Sequence, residues 1–175
     1  VYGIVENHEG FIDVKSSLGE GTTFTIYLPV SAVIEEGKSE ESVVSAEGIE
    51  RILFIDDETQ IVKLTTRLLS GLGYKVTSFS NPVEAYEKFC ADPYQFDLVI
   101  SDVTMPKMPG HILAQKMIKA RNDIPVILCT GYSDNISQDN VSKYGVRALL
   151  PKPLHKNELA QIVRTVLDES YGNRT

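Results

Sequence analysis

The sequence predicts an α/β fold in which a doubly wound, five-stranded parallel sheet forms the larger part of the chain. Continuous apolar runs such as Ile52–Ile55 and Leu98–Ile100, rich in β-branched residues, are typical of strands buried on both faces. Helical patterns separate these runs. Five strand–helix units in about 120 residues predict parallel strands joined by right-handed crossovers.

The predicted elements alternate regularly from residue 51 onward. The strands are expected at 51–55, 75–79, 98–101, 124–130 and 146–150. An apolar stripe on the first helix is formed by Ile61, Leu64, Leu68 and Leu72. We expect this helix to stop near Gly71 and Gly73, because glycine adopts the left-handed conformation that ends helices.

Four further helices follow from their start signals and periodicity. Asn81 is the expected cap of a helix with Pro82 in its first turn and Glu84 three residues after the cap. The next helix covers 110–120, and residues 134–144 predict one with few apolar positions. The last helix carries a clear stripe of Leu159, Ile162, Val163, Val166 and Leu167.

Residues 1–30 predict a separate small unit. Its pattern is the end of a helix with Gly10 at the left-handed C-cap, then two strand-like segments, 11–15 and 22–28, around a turn. Such a hairpin is too small to bury a core alone. Because the chain begins without Met and in mid-pattern, we expect it to start within a longer protein. Residues 31–49 predict an acidic, flexible linker.

Composition and charge exclude some classes of function. The 175 residues are 42% hydrophobic and 23% charged, which is typical of a globular protein. Residues 1–50 carry a net charge of −8 and residues 51–175 carry +1, so the acidity belongs to the first part. There is no basic run for nucleic acid and no apolar run long enough for a membrane.

The two cysteines, Cys90 and Cys129, are too few for a disulfide framework and favour a reducing, cytoplasmic compartment. We expect both to be small buried hydrophobic residues.

The predicted strand ends bring a specific set of polar groups to one edge of the sheet. The members of this set are Asp56 and Asp57, Asp102, Thr130 and Lys152. Three crowded carboxylates raise one another's pKa values unless a cation neutralises them, and Mg²⁺ prefers such oxygen ligands. With a lysine and a hydroxyl nearby, the set suits attack of a carboxylate on phosphorus.

Each residue also has a plainer interpretation. An isolated Asp is usually a helix cap, Lys152 could be a surface lysine, and Thr130 could simply end a strand. His8, His111 and His155 have no spacing to a base or metal partner, so solvated or capping roles are expected for them.

Residues 50–170 resemble a response-regulator receiver domain. The matching motifs are Asp56-Asp57, Asp102-Val103-Thr104-Met105-Pro106, Thr130-Gly131 and Lys152-Pro153. The resemblance implies a flavodoxin-like sheet of order 2-1-3-4-5, with Asp102 as phosphoacceptor. It further implies Mg²⁺ on Asp57, Asp102 and the Thr104 backbone carbonyl, with Asp56 acting through water.

The same resemblance implies that Lys152 pairs with Asp102 and then with the phosphoryl group, and that Thr130 hydrogen-bonds that group. It also implies that Lys152–Pro153 is a cis peptide. One departure concerns Leu149, because receivers usually carry an aromatic residue three positions before the lysine. A charge added at Asp102 must therefore act through Thr130 and the following loop, and the helix over 134–144 is the face expected to change.

Residues 1–30 resemble the last segment of the ATP-binding domain of sensor histidine kinases. The matching residues are Asn7-His8-x-Gly10, Gly19-x-Gly21-Thr22-x-Phe24 and Tyr27-Leu28-Pro29. Glycines at Gly19 and Gly21 would let backbone amides approach nucleotide phosphates. The phosphorylatable histidine and most of the ATP site would lie upstream of residue 1, so we expect this piece to act as phosphoacceptor only, with slow autodephosphorylation.

Together the two resemblances imply that the chain is the C-terminal part of a bacterial hybrid sensor histidine kinase. Its parts would be a segment of the kinase ATP-binding domain (1–30), a linker (31–49), a receiver domain (50–170) and a tail (171–175). They imply a phosphohistidine donor, either a kinase core or a histidine phosphotransfer protein. No nucleic-acid or membrane contact by this piece and no following DNA-binding domain are expected. The resemblances do not decide whether the protein forms a homodimer or whether a membrane anchor lies upstream.

Two alternatives have different chemistry. The chain could be an active kinase fragment or an aspartyl-phosphate phosphatase, although phosphatases of that type place a second acid where Thr104 stands. It could instead be a docking module that is never phosphorylated, which the intact acids and Lys152 argue against.

Overall fold

The computed structural model describes residues 2–29, 48–131 and 141–172 of the chain. It divides into two compact units, Val1–Val43 and Val44–Thr175. Most of the predicted linker lies outside the described residues, as does 134–140 of the predicted fourth helix. No helix in the described ranges has the length and apolarity needed to cross a membrane.

The first unit is a short helix followed by a hairpin, as the sequence predicts. Helix α1 is Tyr2–Asn7, and strands β1 (Phe11–Ser17) and β2 (Gly21–Tyr27) pair antiparallel. The predicted left-handed C-cap at Gly10 is wrong, because Glu9 takes that conformation at φ 54°. Gly10 serves packing instead, since a Cβ there would lie 2.7 Å from the Tyr27 carbonyl oxygen.

The second unit contains a five-stranded parallel sheet with helices between its strands. The strands are β3 (Arg51–Ile55), β4 (Lys75–Phe79), β5 (Leu98–Asp102), β6 (Val126–Thr130) and β7 (Ala148–Pro151). The helices are α2 (Thr59–Gly71), α3 (Pro82–Ala91), α4 (Gly110–Ala120), α5 (Val141–Tyr144) and α6 (Lys156–Gly172). The strand order β4-β3-β5-β6-β7 confirms the predicted doubly wound, flavodoxin-like fold.

Apolar clusters cover both faces of this sheet, which is why its strands read as continuous hydrophobic runs. Strand β5 is buried at all five positions. Cys129 is fully buried in strand β6, as predicted, but the same prediction for Cys90 is wrong because its position at the end of α3 is exposed.

The stripe predicted for α2 is confirmed at Leu72, which is buried, and at Ile61 and Leu68, which pack half-buried against the core, but it is wrong at Leu64. Val62, Thr65 and Leu69 are buried, whereas Leu64 is 58% exposed. The sequence pattern contained two overlapping apolar stripes, and contact with the sheet selected the one that points inward. The stripe predicted for α6 is confirmed, with Leu159, Val163, Val166 and Leu167 buried.

Two leucines of α2 give a matched test of this face. We expect Leu69→Ala to lower the free energy of unfolding by about 3 kcal/mol, because it removes methyl groups from a fully buried side chain. We expect Leu64→Ala to change it by less than about 0.5 kcal/mol. Urea unfolding of both variants measures the difference, and equal losses would contradict the assigned face.

Gly48, near the end of the predicted linker, is already part of the second unit. It is buried, its N–H donates to the Leu72 carbonyl at 3.0 Å, and a Cβ there would overlap the Tyr74 ring. The adjoining Glu50 carboxylate pairs with Arg164 of α6 at 2.9 Å. Ordered packing of the second unit therefore begins before its first strand.

Candidate functional site

The carboxyl ends of the strands place the predicted site residues at one edge of the sheet. Asp56 follows β3 directly, Asp102 ends β5, Thr130 ends β6 and Lys152 follows β7. Asp102 lies opposite Cys129 in the β5–β6 register, and Thr130 lies opposite Pro151 in the β6–β7 register. Parallel pairing therefore assembles groups that are far apart in sequence.

The three predicted carboxylates meet as a cluster. One oxygen each of Asp56, Asp57 and Asp102 lies within 4.8 Å of the others. Asp56 and Asp102 are buried and Asp57 is half-buried, so water screens the charges of Asp56 and Asp102 poorly. The cluster is open to solvent mainly at Asp57.

The Lys152 ammonium lies between two of these carboxylates. Nζ is 2.8 Å from Asp56 Oδ2 and 2.8 Å from Asp102 Oδ1. Burial disfavours the charged amine, but the two carboxylates outweigh burial and raise the pKa of Lys152. The pairing with Asp102 was predicted, whereas the equally short pairing with Asp56 was not.

The surroundings of Asp102 disfavour the ionised form of its carboxyl group. Burial raises the pKa of its carboxyl group, and Asp56 adds to that rise, while the hydrogen bond from Lys152 opposes it. Neutralisation by Lys152 is therefore incomplete, and a further cation at the cluster would stabilise the ionised carboxylate.

Asp56 already uses both of its carboxylate oxygens. Oδ1 accepts a hydrogen bond from the Glu58 backbone N–H at 2.9 Å, and Oδ2 accepts from Lys152. The Glu58 contact is a local turn at the start of α2 that the sequence analysis did not include. Of the three carboxylates, the half-buried Asp57 is the one most open to a new ligand.

Gly110 is a site residue that the sequence analysis missed. A Cβ at this position would lie 1.8 Å from the Asp102 carbonyl oxygen, and the Gly110 N–H donates to the Val103 carbonyl at 2.9 Å. Helix α4 thus begins in direct contact with the end of β5. The signal available in the sequence was Pro109-Gly110 at a helix start, where glycine is otherwise a poor helix former.

The remaining predicted positions lie around the cluster. The Lys152 N–H donates to the Thr130 carbonyl at 2.8 Å, which places Lys152 beside the end of β6. The Lys152–Pro153 peptide bond is cis, as the resemblance implied. Thr104 is exposed two residues beyond β5, and Leu149 is buried in β7 at 7% exposure.

The histidines divide into two kinds. His8 and His155 are exposed, as expected for solvated side chains. His111 differs, because it is half-buried, its ring contacts that of Tyr144, and its Nδ1 is neither solvated nor capping. In the first unit, Gly19 and Gly21 stand in the hairpin turn with φ of 82° and 98°.

The donor set matches a hard divalent cation. Three carboxylates against one ammonium leave two negative charges, and all the candidate ligand atoms are oxygens. Chemically, the arrangement offers a carboxylate that can act as a nucleophile and an ammonium next to it that can stabilise charge developing on a phosphoryl oxygen.

The family model for the response regulator receiver domain matches residues 52–164. The chain is 33% identical to the sensor kinase CckA of Brucella abortus over 97% of its own length and 19% of that protein. It is 30% identical to the sensor protein EvgS of Escherichia coli O157:H7, covering 93% of the chain and 14% of that protein. The chain thus spans less than a fifth of the length of these relatives.

A solved receiver domain protein from Clostridium thermocellum superimposes with a TM-score of 0.67 at 28% identity, covering 70% of this chain and 98% of that one. Receiver domains of two-component systems receive phosphoryl groups from histidine kinases or phosphotransfer partners. The family match and the parallel sheet with its acidic edge agree, and the chain belongs to the response regulator receiver domain family.

Proposed function

We propose that this receiver accepts a phosphoryl group from a phosphohistidine onto Asp102 in a Mg²⁺-dependent reaction, as part of a hybrid sensor histidine kinase. The observation that carries the proposal is the position of the Lys152 ammonium, 2.8 Å from both Asp56 and Asp102 and beside a third carboxylate. A buried arrangement of this kind is unfavourable for folding alone but useful for binding a metal and phosphate.

Asp57 and Asp102 would hold the Mg²⁺ ion with the Thr104 backbone carbonyl, and Asp56 would reach it through water. The hydrogen bonds that Asp56 already accepts from Glu58 and Lys152 support that indirect role. When bound, the ion neutralises the charge on the carboxylates and on the incoming phosphoryl oxygens.

In the transfer, a carboxylate oxygen of Asp102 forms a bond to phosphorus while the bond from phosphorus to the donor imidazole nitrogen breaks. The imidazole leaves with the electron pair of that bond. Lys152 stabilises charge on the phosphoryl oxygens, and the Thr130 hydroxyl donates a hydrogen bond to one of them. Water later attacks phosphorus and releases phosphate, or a phosphotransfer protein accepts the group.

The first unit fits the same context. Its similarity to CckA and EvgS is included in alignments that cover 97% and 93% of the chain. We assign it to the end of a kinase ATP-binding domain, with Gly19 and Gly21 as the remnant of a glycine-rich turn. The donor is then a kinase core or a histidine phosphotransfer protein, and the receiver is its acceptor.

The direct test is incubation of the whole chain with acetyl phosphate and Mg²⁺, followed by intact-mass analysis. We expect a gain of one phosphoryl group that is lost on treatment with hydroxylamine, and no gain in the presence of EDTA. Absence of the gain in the parent chain would overturn the proposal in favour of a docking module. Hydrolysis of ATP by the chain would instead favour the kinase fragment.

Lys152→Ala tests the role of the ammonium. We expect Mg²⁺ still to bind, because its proposed ligands are untouched, and the phosphorylation rate to fall by about 100-fold because charge stabilisation in the transition state is lost. Lys156→Ala, which removes an exposed lysine at the start of α6, is the matched control. Loss of metal binding in Lys152→Ala would contradict the assigned role.

A further inference from the structure

We infer that His111 is a positioning residue, which couples Asp102 to helix α5 through its ring contact with Tyr144. The inference rests on the proposed phosphorylation of Asp102 and adds the path by which that event reaches the helix. The path consists of two contacts, one between β5 and α4 and one between α4 and α5.

The first contact fixes the start of α4 to the end of β5. Gly110 approaches Asp102 so closely that a Cβ would lie 1.8 Å from the Asp102 carbonyl oxygen. The Gly110 N–H donates a hydrogen bond to the Val103 carbonyl. Close-packed backbone cannot be compressed, so a displacement of Asp102 moves the first residues of α4. His111 is the next residue along the helix.

The second contact joins α4 to α5. The His111 and Tyr144 rings lie with centroids 5.1 Å apart at an interplanar angle of 59°, a tilted arrangement that aromatic rings favour. Tyr144 is the last residue of α5 and packs against the core on this face of the sheet. The chain then turns at Gly145, with φ 70°, and enters β7 towards Lys152.

An imidazole is an unexpected choice for this contact. Nδ1 of His111 is inaccessible to solvent and has no hydrogen-bond partner among the residues that the structure describes. A buried polar atom without a partner disfavours the arrangement that buries it. The contact is therefore held by ring packing and opposed by the buried nitrogen, which makes it the contact between α4 and α5 that we expect to respond to a displacement at Asp102.

Leu149, in the same core cluster as Tyr144, is aliphatic and buried, so β7 itself contributes no ring at this position. Tyr144 supplies an aromatic side chain five residues earlier, on the helix that precedes the same strand.

The test uses the whole ¹⁵N-labelled chain with beryllofluoride and Mg²⁺, and follows the amides of Gly131 near the site and Gly145 after α5. His111→Phe keeps a ring and removes the nitrogens, and His8→Phe, at an exposed histidine of the first unit, is the control. We expect His111→Phe to retain the Gly131 shift, to reduce the Gly145 shift by about fivefold or more, and to unfold at a higher urea concentration. His8→Phe should match the parent at both amides.

Tyr144→Leu removes the ring contact from the other side and should also reduce the Gly145 shift while the Gly131 shift persists. A Gly145 shift of parental size in both variants would overturn the coupling inference and leave the proposed function intact. Absence of any Gly131 shift in the parent would instead overturn the proposed function, on which the inference rests.

Discussion

Asp102→Asn is expected to abolish phosphorylation and, in the absence of Mg²⁺, to make the protein more stable at pH 7. The nucleophilic oxygen is lost, so acetyl phosphate should add no phosphoryl group. The stability gain follows because burial and Asp56 raise the pKa of Asp102, so its ionised form is disfavoured in the folded state. We expect a gain rather than a loss, since Lys152 keeps its pairing with Asp56.

The size of this effect depends predictably on pH. A carboxyl group with a raised pKa binds its proton more readily in the folded than in the unfolded state, so its destabilising effect fades as pH falls. The difference between parent and Asp102→Asn should therefore be largest at neutral pH and small below the ordinary value of 3.8. Urea unfolding in EDTA across this range measures it, and a difference that grows with acid would contradict the assignment.

Mg²⁺ provides a second control for the same variant. A ligand that binds only the folded state stabilises it more the more tightly it binds, so millimolar Mg²⁺ should stabilise the parent more than Asp102→Asn. Equal stabilisation of the two proteins would show that Asp102 is not a Mg²⁺ ligand. The loss of phosphorylation does not test this point, because it follows from the loss of the nucleophile alone.

Gly110→Ala is expected to cause a large loss of stability. The new Cβ would lie 1.8 Å from the Asp102 carbonyl oxygen, and both atoms belong to rigid backbone. Either α4 or the end of β5 must move, which we expect to lower the free energy of unfolding by about 4 kcal/mol. Thermal and urea unfolding measure the loss, and phosphorylation of whatever remains folded should be slowed.

Gly71→Ala is the matched control. Gly71 is also in a helix, but nothing lies within 4 Å of a Cβ built there. The substitution should stabilise the protein by up to about 1 kcal/mol, because alanine is the better helix former. A Gly110→Ala variant as stable as the parent would show that the start of α4 is not tied to β5.

Much of the candidate site was predictable because it lies at strand ends. Asp56, Asp57, Asp102, Thr130 and Lys152 each follow a run that the sequence marks as a buried strand. Parallel strands joined by right-handed crossovers carry such residues to one edge whatever the detail of the loops. The strand order then brings the three carboxylates together.

The face of an element was less predictable than its existence. The apolar positions of α2 allow two stripes, and only contact with the sheet buries Leu69 and exposes Leu64. Cys90 is exposed for the same reason, since a helix turns its residues to all sides and an unpartnered side reaches solvent. Gly10 was likewise predicted to end helix α1 in the left-handed conformation, whereas in the structure it allows close packing against the Tyr27 carbonyl.

By itself, the sequence determined the parallel sheet and the charged groups at its edge, because these follow from local periodicity and from the rules of chain connection, and the resemblance to receiver domains added the order of the strands. Only the tertiary structure decided that Lys152 bridges Asp56 and Asp102, that Gly110 touches Asp102, and that the buried nitrogen of His111 faces no partner among the described residues. Distances of a few ångströms between residues remote in sequence depend on how whole elements pack, and no local pattern encodes them.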